Sequence, residues 1–126
     1  MKLALLVNKE FREAAARLAQ QTIPLATSFK LKGMLKRIDE EFTKYEECRG
    51  EALKRFGKRD DKGDLIQDES GNVHFTREGL LEFSAELQEL AQSDVEIGTV
   101  KISELGSKVE LSPNELSLLE AMLEES

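Results

Sequence analysis

Residues 26–57 read ATSFKLKGMLKRIDEEFTKYEECRGEALKRFG. Apolar or aromatic side chains fall at Leu31, Leu35, Ile38, Phe42 and Tyr45, then at Ala52 and Phe56. The spacing alternates between four and three residues and skips one position, Arg49. A repeat averaging about 3.5 residues is the period of a coiled-coil seam. It predicts one long helix over residues 26–56, closed by Gly57 as a C′ residue. At ~1.5 Å per residue this rod is roughly 45 Å long, more than the ~30 Å width of a compact domain of this size. The seam therefore needs a cover, either a later helix of the same chain or a second copy.

Outward from this rod, Asn8 is a competent N-cap for a helix over residues 8–21, with Phe11, Ala14, Ala15 and Leu18 on one face. Pro24 forces its end. After Gly57 the chain turns polar. Two short apolar pieces flank Asp68-Glu69-Ser70-Gly71, which predicts a β-hairpin over 63–76. Thr76 caps a helix over 77–92 that carries Leu80, Phe83, Leu87, Leu90 and Ala91. Val95, Ile97, Val100 and Ile102 alternate around Gly98-Thr99, as in a short strand over 95–102 with a bulge, or two β-bridges. Ser112-Pro113-Asn114-Glu115 is a capping box with proline at N1. It opens a helix over 113–124 whose stripe is Leu116, Leu119 and Leu123, widened by Leu118 and Met122. No internal repeat is evident. The expected fold is mainly α (α+β), one domain over 1–126, with a long central helix packed with shorter helices and a small β element.

Composition narrows the functional classes. No run of the 126 residues approaches the ~18 apolar positions of a membrane span. The opening apolar run is short and lacks a cleavage site, so an ordinary amino terminus and a cytoplasmic protein are expected. A single cysteine excludes an internal disulfide. Net charge is −7, but residues 1–62 hold 15 Lys+Arg against 10 Asp+Glu, and residues 63–126 hold 3 against 15. Either the halves neutralise each other in one fold, or they favour head-to-tail or self-complementary contact between copies and present a local basic surface.

Catalytic motifs are missing. Cys48 and His74 are the only residues of their kinds, and neither lies in a nucleophile or zinc pattern. Cys48 reads as a small buried hydrophobe, and His74 as a surface or packing residue. Asp60-Asp61-Lys62-Gly63-Asp64 and Asp68-Glu69-Ser70-Gly71-Asn72 have glycine in the wrong place for a calcium loop and read as turns. Glu40-Glu41 and Glu46-Glu47 face outward by the seam register. Gly33 sits inside the long helix, where it permits close approach of a neighbour or has no role. No metal site, cofactor or catalytic residue is assigned.

Two basic features remain. Lys30, Arg37, Lys44 and Lys58 recur at multiples of seven as an outer stripe, interrupted by Glu51. Arg49 occupies the skipped seam position, where a guanidinium must be paired or face a cavity. One reading is an ion pair to a glutamate of the second half. The other is a pocket for an anionic ligand formed by Arg49, Tyr45, Lys44, Arg37 and Lys30. Nucleic-acid binding is disfavoured, because the chain is acidic and no reader motif appears.

Ile23-Pro24 leads into Ser28-Phe29-Lys30-Leu31, followed by Ile38-Asp39-Glu40-Glu41 and Tyr45-Glu46-Glu47-Cys48-Arg49. Arg55-Phe56-Gly57, Asp61-Lys62-Gly63, Phe75 and the Val95-Glu96-Ile97 to Ile102 segment complete the order. This order, over most of residues 20–105, is similar to a family of short proteins of unknown role encoded by tailed bacteriophages and prophages. The resemblance implies phage origin and a helical fold, and it carries over no catalytic residue. Arg49 stands where that pattern has an arginine.

The resulting expectation is a non-enzymatic binding protein, a homo-oligomer through residues 26–56. Its partner would be an anionic, nucleotide-like small molecule or a host or phage protein, as in blocking a host defence in the infected cytoplasm. The alternative is a virion accessory of the tail or head. No membrane partner is expected.

Overall fold

A computed structural model of the chain describes residues 1–125. The fold is mainly α, with a long central helix, shorter helices and a small two-stranded sheet. The α-helices are α1 (Leu3–Leu6), α2 (Lys9–Gln20), α3 (Leu25–Phe56), α4 (Arg77–Ala91) and α5 (Pro113–Leu119). Strands β1 (Val100–Lys101) and β2 (Leu123–Glu124) pair in parallel, Val100 with Leu123 and Lys101 with Glu124. The chain forms two compact units, and α3 passes through both. Met1–Phe42 with Asp94–Ser126 makes the first, and Thr43–Ser93 the second.

The first unit holds most of the core. The Asn8 side chain accepts from the Glu10 amide at 2.8 Å and starts α2. Phe11, Ala14, Ala15 and Leu18 are all buried, the face the periodicity predicts. The opening apolar run forms α1, which had no sequence signal. It is too short to hold alone, and burial of Leu3 and Leu6 holds it. On α3 the buried line is Thr27, Leu31, Met34 and Ile38. Met34 therefore takes the place expected of Leu35, which is only half-buried. The Thr27 hydroxyl donates to the Glu104 carbonyl at 2.7 Å, so this buried polar group is satisfied. Gln21, just past α2, works as a clamp on the chain before α5. Its amide donates to the Glu110 carbonyl at 2.8 Å, and its oxygen accepts from the Glu110 N–H at 2.7 Å.

Two expectations for this unit need correction. The strand over 95–102 shortens to β1, because residues 102–105 turn into a 3-10 helix. The helix over 113–124 starts as predicted, with Ser112 and Glu115 capping each other's backbone, but α5 ends at Leu119. A 3-10 turn over Glu120–Met122 follows, then β2. That turn buries Met122 and lets Leu123 pair with Val100. The buried stripe is thus Leu119 and Met122, while Leu116 stays 43% exposed.

The second unit is built on an eight-residue repeat that the sequence reading missed. Lys58–Leu65, Ile66–Val73 and His74–Leu81 align position by position. Their first residues close a ring of backbone hydrogen bonds. Ile66 N–H donates to the Lys58 carbonyl (2.9 Å), His74 N–H to Ile66 (2.9 Å) and Lys58 N–H to His74 (2.7 Å). The third positions, Asp60, Asp68 and Thr76, each fold the next few residues back. Asp60 accepts from the Lys62 and Asp64 amides, Asp68 from those of Ser70 and Asn72, and Thr76 from that of Gly79. Gly63 and Gly71, at the sixth positions, adopt φ of +85° and +84°, which side chains disfavour. These bonds to Asn72 and Ser70 hold the exposed Asp68 carboxyl below its ordinary value of 3.8. The expected hairpin over 63–76 is therefore a set of single bridges, Arg59–Leu65 and Gln67–Val73, with the turn after Asp68 as predicted. Sharing pairing among three short pieces leaves no room for a ladder.

Gly57 ends α3 for a different reason from the one predicted. Its φ is not positive, so it is not a left-handed cap. A Cβ there would lie 2.6 Å from the Leu53 carbonyl oxygen and 2.7 Å from both Leu65 and Val73. At Gly79 a Cβ would meet the Phe56 carbonyl oxygen at 2.6 Å. The two glycines let the repeat and the first turn of α4 close on the end of α3. Gly33 has open space around it, so it serves no close approach within the chain.

Folding also redistributes charge. The first unit carries ten Lys+Arg against thirteen Asp+Glu, a net −3, and the second carries eight against twelve, a net −4. The basic and acidic halves of the sequence are thus mixed within each unit.

Candidate functional site

Lys30 and Arg37 belong to the first unit, whereas Lys44, Tyr45 and Arg49 belong to the second. Lys30 Nζ lies 3.7 Å from the Glu104 carboxylate. That carboxylate also accepts from the Lys101 N–H at 3.0 Å, and the backbone bond together with nearby Lys30 holds its pKa below the ordinary 4.5. The pair is exposed and contributes little to stability, but it neutralises one predicted cation. Arg37 Nη1 donates to the Ile97 carbonyl at 3.3 Å. It lines a cleft of about 280 Å³ with Val95–Thr99 and Ala121. Gly98, at φ +101°, brings the backbone to this cleft. Glu96 shares the lining, so the local charge is mixed.

The ion pair expected of Arg49 is not formed among the described residues. The side chain is exposed and makes no hydrogen bond among them. The desolvation that would demand a partner does not arise within one chain, because nothing packs over the guanidinium. Its seam neighbours Tyr45, Ala52 and Phe56 are only half-buried. Cys48 is exposed, not buried as expected, because it lies beside the seam and faces an open cleft. That cleft, of about 290 Å³, lies between α3 and α4. Ala52, Phe56, Leu87 and Leu90 give it apolar walls, and Glu51, Glu86 and Arg55 edge it. Only Phe83 of this unit's large apolar residues reaches burial, stacked 5.0 Å from Phe75. Leu80 and Leu81 remain exposed.

The sequence reading missed Arg12. Its guanidinium sits 3.7 Å from the centre of the Phe42 ring and donates to the Val7 carbonyl at 3.5 Å. Its Nε is buried without a hydrogen-bond partner. An arginine beside an apolar helical face reads as solvated, so only the tertiary placement of Phe42 exposes this role. The Arg12 charge covers the seam at Phe42, where the first unit ends.

No group of three His, Cys, Asp or Glu among the described residues is placed to hold a metal ion. No helix among them is long and apolar enough to cross a membrane. Comparison with protein-family models, curated proteins and solved structures returns no match.

Proposed function

We propose that the protein is a non-enzymatic binding protein of bacteriophage type that works as a homo-oligomer through α3. The observation that carries this reading is the state of the seam beyond Phe42. A coiled-coil period continues to Phe56, yet Tyr45, Ala52 and Phe56 stay half-open and Arg49 is unpartnered. A two-helix unit with one buried large side chain is marginal alone, since small units bury too little surface. A second copy laid along the same seam supplies the missing cover. Charge supports that occupant. Helix α4 carries Glu78, Glu82, Glu86 and Glu89 against the single Arg77, a net −3, while α3 beyond Phe42 carries Lys44, Arg49, Lys54 and Arg55 against Glu46, Glu47 and Glu51, a net +1.

Covering the seam takes Arg49 out of water, and a desolvated guanidinium then requires an anion. An anionic, nucleotide-like ligand at that position satisfies it, with Lys44 and Tyr45 on the preceding turn. Lys30 and Arg37 fall outside this site, and the resemblance to phage-encoded proteins fits capture of a host defence signal. Isothermal calorimetry against cyclic and linear nucleotides tests the ligand. Micromolar or tighter binding is expected for at least one. Arg49→Ala is expected to weaken it by tenfold or more with unchanged far-UV circular dichroism. No heat from any nucleotide would contradict ligand capture. A virion accessory is the second reading. It is favoured by Leu25 and Phe29, which are exposed away from the buried line of α3, as a component with several neighbours requires.

A further inference from the structure

Leu25 and Phe29 are 86% and 80% exposed, the most open large apolar side chains described. They stand one turn apart at the start of α3. Lys32 and Lys36 continue the same strip at the next two turns. Both lysines are exposed, and neither forms an ion pair among the described residues. Single exposed leucines need no explanation. A leucine and a phenylalanine side by side, followed by two free cations, make a knob with an apolar tip and a basic flank.

The same unit carries the converse surface. Ile102, Leu116 and Leu123 line an open cleft of about 490 Å³. Ile102 is 46% exposed and Leu116 is 43% exposed. Glu120 and Glu125 also line it, and neither has an ion-pair partner among the described residues. The cleft thus combines three apolar side chains with two carboxylates and Ser117. Its volume accommodates one aromatic and one aliphatic side chain.

The geometry points to a head-to-tail contact in which the Leu25–Phe29 knob of one copy seats in the Ile102–Leu116–Leu123 cleft of a second. Lys32 and Lys36 then face Glu120 and Glu125. Charge complementarity selects a second copy as the occupant, because the knob and the hole are opposite in both shape and sign within one chain. An acidic membrane would attract the knob but leaves the acidic cleft unexplained. The contact is heterologous, since the two surfaces differ. Each added copy keeps one free knob and one free cleft, so the product is a ring or an open chain. Its footprint is far below the ~800 Å² per partner of a stable interface. It is therefore weak alone and adds to the seam contact, from which it is structurally independent. Its opposite charges make it weaken with added salt.

Mixing two defective variants tests this directly. Phe29→Glu removes the knob but keeps the cleft, and Leu116→Glu removes the cleft but keeps the knob. Sedimentation velocity on the full chain is expected to show concentration-dependent growth for the native protein. Growth is lost in each variant alone, and mixing restores association between them in a 1:1 ratio. Ile102→Glu replaces Leu116→Glu if the latter perturbs circular dichroism. Native protein that sediments identically to Phe29→Glu at all concentrations overturns the contact. So does a mixture in which the variants never associate, including the case where Phe29→Glu instead abolishes binding to anionic vesicles. The seam contact leaves a constant baseline mass in all samples, so its failure reads separately.

Discussion

Phe11→Ala lowers the unfolding free energy by about 3–5 kcal/mol. Phe11 is fully buried and is the largest of the completely buried side chains. It lies on α2 in line with Ala14, Ala15 and Leu18. Its removal costs the transfer free energy of the ring and leaves a cavity that small neighbours cannot fill. Total stability of a domain this size is about 5–15 kcal/mol, so the loss is a large fraction of it. Urea unfolding followed by circular dichroism gives the value. Phe29→Ala is the internal control. It removes the same side chain from an 80% exposed position, and its cost is expected within about 0.5 kcal/mol. Equal losses from the two variants would contradict the burial pattern.

Gly79→Ala destabilises the second unit by about 2–3 kcal/mol, the cost of forcing atoms into a closed space. Intrinsic propensity argues the other way, because alanine is favoured over glycine in a helix by about 1 kcal/mol. The sign therefore decides between the two effects. At Gly79 the new methyl meets the Phe56 carbonyl oxygen at 2.6 Å, and a backbone oxygen at the end of a helix cannot rotate away. Gly57→Ala should fail in the same way against Leu53, Leu65 and Val73. Gly33 has nothing within 4 Å of its would-be Cβ, so Gly33→Ala should stabilise by up to about 1 kcal/mol. Hydrogen exchange locates the damage. Protection at Ile66, His74 and Phe83 should collapse in Gly79→Ala, while Leu18 and Val100 keep theirs. A stabilised Gly79→Ala protein would refute the close approach.

The helices were legible where the physics is local. Asn8, Thr76 and Ser112-Pro113 mark starts by side-chain capping, and each cap is made as read. The long period from Leu31 to Phe56 survives as α3. What could not be read depends on distant partners. The stop of α5 at Leu119 follows from Leu123 pairing with Val100, and nothing near residue 119 signals it. The ring through Lys58, Ile66 and His74 is a repeat whose first-position residues differ completely in type. Only the third, sixth and eighth positions keep their chemistry, which is too sparse for composition to reveal. The candidate site was legible as a basic stripe but not as a place. Helical spacing says that Lys30, Arg37 and Lys44 share a side. It does not say that Glu104 neutralises the first or that the Ile97 carbonyl holds the second.

The proposed binding protein requires another molecule of the same kind over Tyr45, Arg49 and Phe56. Sedimentation equilibrium of the Phe29→Glu, Leu116→Glu double variant isolates that requirement, because it disables the head-to-tail contact. The predicted mass is at least twice the 14.2 kDa of one chain at micromolar concentration. A constant 14.2 kDa up to millimolar concentration would contradict it.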